Sequence, residues 1–546
     1  MKRALAAAVT VALPIALSSV LVASPVHAHV PEVFGSDWDD PMTAMAPIDR
    51  PDTPSCEVEL VDHVFADDEP FESTFVPDDE CGTSWSKVVL DLAGEVEGRQ
   101  HDRLATLEID GVPVFKTSTP QPSPEGVEWN VERDLTGYSS LLTEERPVTM
   151  SMGNVTDAVH TGVFDIRVTL TFYAADGDNP AGNVADRVVR LDEAERDGAD
   201  LTGNVTVPRN STRLLADVYA TASGGGCEEF WYMTAPPESQ YPCEGDSGPY
   251  REVQILVDGQ VAGIATPYPA VYAGGWSNPF LWYTLPAPRA FDLRPITYDL
   301  TPYLGLLNDG EDHEVTVRVV GAGSMQGWST PTAFRVWQDA DSRVVEGGVL
   351  MSKTTPLSNT SVVSKVGGKT EAATVAGHQH TATGWLETSR GRILTTVDRV
   401  LSYTGTHTFG PDANPDMLEA ELSDVESRTV LGPSSTSESH ETTRLYRLEG
   451  HKNLDEDGRL STKIDLNDRM STLTTSGRSM PRMVTVDHSH MGEASWDTQV
   501  PREERRAEGT SVSRYHVTFT VGGDERCYDR ELRSANGYVT VDRHRC

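Results

Sequence analysis

The sequence has few basic residues for its length. Its 546 residues include 45 Lys and Arg against 83 Asp and Glu, so the formal net charge is -38. A charge of this sign repels phosphate backbones and anionic lipid headgroups. We therefore expect neither nucleic acid nor a membrane among the partners of this chain. A neutral, hydroxyl-rich ligand or a cation suits it better.

Long apolar runs are missing beyond the amino terminus. Two basic residues precede an apolar stretch from Ala4 to Val22, and Val26-His27-Ala28 is typical of a cleavage site. We therefore predict a secretory signal peptide over residues 1–28, followed by an extended arm over 29–52. No later stretch is long and apolar enough to span a bilayer. The sequence therefore predicts a secreted protein.

Cysteine is scarce, and its six residues fall into three pairs that are close in sequence. The pairs are Cys56/Cys81, Cys227/Cys243 and Cys527/Cys546. In an exported protein this spacing favours three sequential disulfides, although six cysteines allow other connectivities. No thiol is then left over, so catalysis by cysteine is disfavoured.

Helical periodicity is scarce as well. Segments such as 86–92, 165–172 and 314–319 alternate in polarity or are rich in β-branched residues, and Gly, Pro, Asn and Asp separate them. The best helical candidate is Val188 to Arg196. Many short strands separated by turns predict an all-β protein built from sandwiches or barrels.

An internal repeat indicates how these strands are grouped. The segment 134–142 resembles 299–307, and Asp102-Arg103-Leu104 aligns with Tyr250-Arg251-Glu252 in the same register. Such repetition indicates two copies of one domain. We predict two tandem β-sandwiches joined by a linker, and then a C-terminal β-rich domain. Their respective ranges are 53–178 and 200–348 for the sandwiches, 179–199 for the linker and 349–546 for the C-terminal domain.

Several common catalytic signatures are absent. The sequence has no Gly-x-Ser-x-Gly elbow, no phosphate-binding loop and no dinucleotide fingerprint. Two His-x-His pairs, His378/His380 and His488/His490, would each place two imidazoles on one face of a strand, but neither has an apparent third ligand. We therefore expect no metal and no cofactor.

Two clusters are candidates for chemistry. Asp102 stands beside Arg103 at the start of a predicted strand, where an ionised Asp can act as a general base. A structural ion pair is the alternative.

The second cluster is a Gly-rich loop in which Glu228 and Glu229 follow Cys227 and precede Phe230-Trp231-Tyr232. Carboxylates against aromatic rings have raised pKa values, and such rings stack on sugars. A hydrophobic loop with solvated acids is the alternative here.

At these clusters the sequence resembles a known family, the secreted peptide-N4-(N-acetyl-β-glucosaminyl)asparagine amidases of type A (PNGase A). Matching strings follow in order from Trp85 to Leu293 and become looser in the C-terminal third. They include Trp85-Ser86-Lys87, Gly98-Arg99-Gln100, Gly153-Asn154, Glu229-Phe230-Trp231-Tyr232, Gly248-Pro249-Tyr250-Arg251 and Phe291-Asp292-Leu293. A more distant resemblance is to the PNGase F type, whose two jelly rolls hold the site at their interface. The resemblance therefore implies two jelly-roll-like sandwiches.

The resemblance also implies an activity. PNGase enzymes hydrolyse the amide between asparagine and the first N-acetylglucosamine of an N-glycan, which gives aspartate and a glycosylamine. N-glycosylated peptides or proteins are therefore the expected partners, and we expect a monomer. Two other functions stay open, a secreted glycan-binding or adhesion protein without catalysis and a glycosidase acting within the glycan core, whose two carboxylates would flank an anomeric carbon.

Roles for individual residues follow from the same resemblance. The catalytic aspartate of the F type stands in an Asp-Arg pair, which implies catalytic roles for Asp102 and Arg103. Its helper glutamate implies the same for Glu229, with Glu228 as the alternative register. A further acidic residue of the F type is replaced here, so Asn154 or Asp157 is expected to bind substrate instead. The other expected substrate contacts are Arg251 and the aromatic side chains Trp231, Tyr232 and Trp276.

Overall fold

The computed structural model describes residues 30–546 except 183, 275–278, 323–326, 434–436, 478, 501–503 and 505. The predicted signal peptide and Trp276 lie outside the described residues. Regular structure in the described part is almost entirely antiparallel β-sheet, which confirms the predicted all-β class. None of the helices described is long and apolar enough to cross a membrane.

The first sandwich packs two four-stranded sheets face to face. Its strands are β1 (Ser55–Phe65), β2 (Phe71–Phe75), β3 (Trp85–Glu97), β4 (Leu104–Ile109), β5 (Val112–Ser118), β6 (Val127–Asp134), β7 (Arg146–Ser151) and β8 (Val163–Ala174). The sheet orders β1-β8-β3-β6 and β2-β7-β4-β5 are those of an eight-stranded jelly roll. Alternate side chains such as Leu90, Leu107 and Ile166 are fully buried between the sheets and form the core.

The second sandwich has the same strand order. Its strands are β9 (Arg187–Arg190), β10 (Asp192–Asp197), β11 (Asp200–Val205), β12 (Ser211–Val218), β13 (Thr221–Ala222), β14 (Glu252–Val257), β15 (Gln260–Ala265), β16 (Ile296–Asp299), β17 (His313–Val320), β18 (Trp328–Ser329) and β19 (Thr332–Gln338). The orders β9-β19-β12-β16 and β11-β17-β14-β15 repeat those of the first sandwich, and β10 extends the second sheet. The repeat seen in the sequence therefore corresponds to two jelly rolls of one topology.

The best helical candidate in the sequence, Val188 to Arg196, is not a helix. These residues form β9 and β10, which pair with β19 and β11 at the edges of the second sandwich. Val188 is buried against the core, while every residue of β10 is exposed. The pairing partners are supplied by other parts of the chain, so this segment, predicted as part of a linker, belongs to the second sandwich.

Helical structure is limited to short turns. The 3-10 helices span Asp79–Cys81, Thr136–Thr143, Trp231–Met233, Pro237–Ser239, Pro279–Trp282, Thr301–Tyr303 and Pro411–Ala413, and the α-helix α1 spans Leu304–Leu307. Disulfides join Cys56 to Cys81, Cys227 to Cys243 and Cys527 to Cys546. The second of them closes the loop that carries the Trp231–Met233 turn.

The C-terminal part forms one antiparallel sheet of eleven strands. They are β20 (Glu346–Thr354), β21 (Ser358–Val366), β22 (Lys369–Thr388), β23 (Gly391–Phe409), β24 (Asp416–Leu431), β25 (Ser437–Leu454), β26 (Arg459–Ser476), β27 (Arg482–Asp497), β28 (Glu508–Val521), β29 (Asp524–Ala535) and β30 (Tyr538–His544). Each strand from β22 onward pairs with the next, while β20 and β21 both pair with β22. One face packs on the second sandwich through contacts such as the ion pair between Arg289 and Asp468.

An extended arm, residues 30–52, joins the end of this sheet to the sandwiches. The backbone N–H of Phe34 donates to Ala507, and the Asp39 carboxylate accepts from the N–H of Val539 at 2.7 Å. The ring of Trp38 packs on Tyr283 with 4.8 Å between the ring centroids. The arm therefore connects the last strands to the segment between β15 and β16, residues 266–295, which is an insertion in the second sandwich.

Candidate active site

Asp102 lies at the junction of the two jelly rolls, just before β4. Its neighbour Arg103 is fixed by paired bonds with Thr119, each 2.9 Å long. The half-buried Asp102 carboxylate accepts a hydrogen bond through Oδ1 from Gln121 Nε2 at 3.2 Å. Gly274, from the insertion of the second jelly roll, packs on the same oxygen, and a Cβ added there would lie 2.0 Å from Oδ1.

Glu229 reaches the same junction from the second jelly roll. It lies in the loop between β13 and the Trp231–Met233 turn, and its Oε2 accepts from the backbone N–H of Gly225 at 2.5 Å. Burial raises the pKa of this carboxyl, the Gly225 N–H opposes the shift, and the charge on Asp102 raises the pKa further. Glu229 and Asp102 are therefore close enough to interact electrostatically.

A tyrosine stands beside both carboxylates. Tyr272 is buried, and its hydroxyl donates to the carbonyl of Ala222 at 3.0 Å. Burial raises the pKa of Tyr272, and the charges on Glu229 and Asp102 add to this effect. The hydroxyl therefore stays protonated, and it anchors the insertion of the second jelly roll next to the acidic pair.

The Arg103 guanidinium bonds to neutral side chains. Its Nη2 donates to Gln100 Oε1 at 2.8 Å, and its Nε donates to Asn154 Oδ1 at 3.4 Å. Within the described part of the chain, no ion pair joins Arg103 to Asp102 or to another carboxylate. The structural ion pair considered for Asp102 and Arg103 is therefore not formed, and the charge of Arg103 is not neutralised by a carboxylate there.

Asn154 and Asp157 have different surroundings from those expected of substrate contacts. Asn154 is fully buried and donates to the carbonyls of Phe65 and Gly162 at 2.9 and 3.1 Å. Its expected role as a substrate contact stays a prediction, and in the structure its side chain bonds to Arg103. Asp157 is exposed and accepts from the backbone N–H groups of His160 and Val159, which lowers its pKa to about 2. It stabilises a turn at the edge of the site.

Glu228 and Arg251 form a buried ion pair behind the loop. Glu228 Oε1 lies 2.6 Å from Arg251 Nη2, and Oε2 lies 3.1 Å from Arg251 Nε. Trp328 Nε1 also donates to Glu228 at 2.6 Å. Both charged side chains are almost completely inaccessible. Their expected role as substrate contacts stays a prediction, and their burial also suits them to support the loop. The charge on Asp102 acts on Glu229.

Two of the three aromatic side chains expected to bind substrate are described, and both are buried. Trp231 is 2% exposed and packs against Trp328, and Tyr232 is 0% exposed with its hydroxyl donating to Ala270. Neither ring has a free face on which a sugar could stack, which corrects the prediction. The third candidate, Trp276, lies outside the described residues.

The first histidine pair, His378 and His380, has contacts typical of structural side chains. His378 bonds to Glu252 at 2.8 Å and to the carbonyl of Thr355, and His380 bonds to Tyr303 and Thr354. Among the described residues, no group of three His, Cys, Asp or Glu could hold a metal ion.

Three residues near the acidic pair were not expected from the sequence. Gln121 bonds to Asp102, Tyr283 bonds to Gln121, and Gly274 packs on both Asp102 and Gln121. No motif marks them, since each contact joins segments that are distant along the chain. Together these features define a double jelly-roll protein with a pair of dissimilar carboxylates and an arginine at the junction of its two domains.

Comparison with known proteins identifies the family. The model of the family "Peptide N-acetyl-beta-D-glucosaminyl asparaginase amidase A" matches residues 44–354, more than half of the chain. The chain belongs to this family. It is 27% identical over 457 residues to the peptide-N4-(N-acetyl-beta-glucosaminyl)asparagine amidase A of Prunus dulcis, an alignment that covers 78% of each chain.

Solved structures with similarity to this chain include two of low sequence identity. One is recombinant peptide: N-glycanase F (PNGase F), with a TM-score of 0.33 and 13% identity over 52% of this chain and 96% of that one. Another is PNGF-II, with a TM-score of 0.35 and 12% identity over 52% of this chain and 65% of that one.

Proposed function

We propose that this protein hydrolyses the amide that joins asparagine to the first N-acetylglucosamine of an N-glycan, and so converts asparagine to aspartate and releases a glycosylamine. Membership of the amidase A family supports the activity. The observation that carries the location of the site is that Asp102 and Glu229, from different jelly rolls, meet at the domain junction. N-glycosylated peptides or proteins are the proposed substrates.

Amide hydrolysis needs a base for the attacking water and stabilisation of the developing oxyanion. In this proposal Asp102 orients and deprotonates the water, and then passes that proton to the leaving nitrogen as the C–N bond breaks. Such general acid-base catalysis contributes roughly 10²–10⁴-fold. The Arg103 guanidinium, which bonds only neutral side chains among the described residues, stabilises the carbonyl oxygen as negative charge develops. Both groups are half-buried, which strengthens such interactions.

Glu229 has a different role in this proposal. Its raised pKa, caused mainly by burial, suits a carboxyl that can carry a proton while Asp102 is ionised. Glu229 hydrogen-bonds the amide or hydroxyls of the first sugar and fixes the scissile bond over Asp102. The buried pair of Glu228 and Arg251 holds the loop that carries Glu229.

The proposed place of action is outside the cell, and the proposed form is a monomer. Three disulfides are typical of proteins that fold in an oxidising compartment. The predicted secretory signal agrees with this location. Folded glycoproteins and glycopeptides that carry asparagine-linked sugars would be met there.

The test is to incubate the protein with an N-glycopeptide in water enriched in heavy oxygen and to analyse the peptide by mass spectrometry. We expect asparagine to become aspartate with one heavy oxygen atom and the entire glycan to be released. Asp102→Asn should reduce the rate by at least roughly 100-fold, whereas Asp157→Asn, a matched change at an exposed position, should not reduce it.

Other outcomes would overturn the proposal. A sugar left on asparagine would indicate a glycosidase, and an unchanged glycopeptide that is retained by the protein would indicate a glycan-binding protein. A fully active Asp102→Asn variant would exclude Asp102 as the base.

A further inference from the structure

The side-chain amide of Gln121 bridges the two jelly rolls at the candidate site. Its Nε2 donates to Asp102 Oδ1 at 3.2 Å, and its Oε1 accepts from the hydroxyl of Tyr283 at 2.8 Å. Asp102 and Gln121 belong to the first jelly roll, while Tyr283 follows the Pro279–Trp282 turn in the insertion of the second. Tyr283 is 5% exposed.

The direction of this amide decides whether Asp102 faces a hydrogen-bond donor or an acceptor. The two ends of a glutamine amide are similar in size, but one end accepts hydrogen bonds and the other donates them. The direction is therefore set by the surrounding hydrogen bonds. Because an ionised carboxylate only accepts hydrogen bonds, the NH₂ end of Gln121 is directed to Asp102. The Tyr283 hydroxyl donates to Oε1 and holds the other end of the amide.

The backbone around Gln121 limits its freedom. Gln121 stands between Pro120 and Pro122, and proline restricts both its own φ and the conformation of the residue before it. Gly274 packs over the amide, since a Cβ added there would lie 2.5 Å from Gln121 Nε2. The amide is therefore held in place before any substrate binds, which is the arrangement expected of a group that orients another.

Tyr283 is held in turn by the amino-terminal arm. The ring centroid of Trp38 lies 4.8 Å from that of Tyr283, and Phe34 stacks on Trp38 at 5.3 Å. The arm itself bonds to the last strands of the C-terminal sheet. The orientation of Gln121 thus depends on parts of the chain that contribute no carboxylate to the site.

We propose that Gln121 is a positioning residue for the Asp102 carboxylate and that Tyr283 holds its amide in place. This inference rests on the proposed function, in which Asp102 is the base. Neither side chain is required to contact substrate. Their removal should therefore lower kcat and leave KM nearly unchanged.

The decisive variant is Gln121→Glu, measured as kcat and KM over a range of pH. When the introduced carboxyl is ionised, it places a second negative charge against Asp102, so kcat should fall roughly 10- to 100-fold. When it is protonated, it again offers a hydrogen-bond donor, so the loss should shrink as the pH is lowered. Gln121→Ala should lose kcat by a similar factor at every pH, without this recovery.

Gln379→Glu is a matched control. Gln379 Nε2 donates to Asp398 Oδ1 at 3.0 Å on the C-terminal sheet, so the same substitution disrupts the same kind of bond away from the site. Its kcat should equal that of the original protein at each pH. Tyr283→Phe provides a second test, because it leaves Gln121 in place and removes the hydrogen bond that holds its Oε1. Its kcat should fall less than that of Gln121→Ala.

Several results would overturn the inference. They are unchanged kcat in both Gln121 variants, a rise in KM with kcat unchanged, or a loss in Gln121→Glu that does not diminish at lower pH. If a Gln121 variant does not fold, as judged by thermal unfolding, unchanged kcat in Tyr283→Phe would overturn it. Asp102→Asn is assayed in parallel, and activity in that variant would instead contradict the proposed function.

Discussion

Asp102 and Glu229 belong to different jelly rolls, yet they lie close enough for the charge on Asp102 to raise the pKa of Glu229. Burial is the larger cause of this shift, and the N–H of Gly225 opposes it. Carboxyl groups in such different environments are suited to different roles, one ionised and one able to hold a proton. The junction between the domains therefore places two acidic residues in environments that suit them to different chemical roles.

This coupling leads to a prediction about the pKa of Glu229. Asp102→Asn removes the neighbouring charge, so the pKa of Glu229 should fall. The measurement is a carbon NMR titration of labelled glutamate, with the Glu229 signal assigned from a Glu229→Gln variant. Asp157→Asn serves as the control and should leave the titration unchanged. An unchanged pKa in Asp102→Asn would show that the two groups are not coupled.

Gly274→Ala should reduce activity without unfolding the protein. The new Cβ would lie 2.0 Å from Asp102 Oδ1 and 2.5 Å from Gln121 Nε2, so the insertion or the carboxylate must shift. A displacement of this size should lower kcat by roughly 100-fold. Gly177→Ala is the control, because a Cβ at Gly177 meets nothing within 4 Å. Full activity in Gly274→Ala would disprove the close packing of the insertion on Asp102.

Removing the charge of one partner in the ion pair of Glu228 and Arg251 should destabilise the protein. Glu228→Gln leaves the buried Arg251 without its counter-charge, which should lower the free energy of unfolding by about 3–5 kcal/mol. Urea denaturation measures this change. The exposed pair of Arg392 and Glu387 provides a control, since Glu387→Gln should cost less than about 1 kcal/mol. Similar costs for the two variants would contradict the assignment of a buried pair.

His490 should make the protein less stable in acid. Its ring packs on Trp282 with 4.9 Å between centroids, and neither nitrogen has a hydrogen-bond partner among the described residues. Burial, followed by the nearby His488, lowers the pKa of His490 to about 3. The unfolded chain takes up a proton as the pH falls through the ordinary histidine range, whereas the folded chain does not until a much lower pH. Stability is therefore lost between these two pKa values.

His490→Phe removes this titration and keeps an aromatic ring against Trp282. We compare the unfolding free energy of this variant with that of the original protein at two pH values. The difference in favour of the variant should be about 2 kcal/mol larger near pH 5 than near pH 8. Thermal or urea unfolding at the two pH values tests this difference. His451→Phe, at an exposed position, is the control and should show no comparable dependence. An equal gain at both pH values would contradict the prediction.

The sequence was sufficient to predict the two jelly rolls because their repeat preserves local patterns. Asp134 and Asp299 end equivalent strands, β6 and β16, and Arg103 and Arg251 flank the starts of β4 and β14. The helical candidate over 188–196 forms strands instead, for the opposite reason. The strands that pair with β9 and β10 come from other parts of the chain, and no local pattern reveals such partners.

The same difference between local patterns and long-range contacts applies to the candidate site. Asp102 and Glu229 were identified because each stands in a recognisable local string. Trp231 and Tyr232 were misjudged, since a sequence does not distinguish a buried aromatic ring from an exposed one. Gln121 and Tyr283 were missed, because their importance comes from a contact between residues 162 positions apart.

The amino-terminal arm has a consequence for when the site is completed during synthesis. Phe34 and Asp39 are synthesised long before their partners, Ala507 and Val539. Contacts of such separation form late in folding. The arm can therefore support Tyr283 only after β28 to β30 exist, and a chain interrupted before them would carry Asp102 without the contacts that the arm gives to Tyr283.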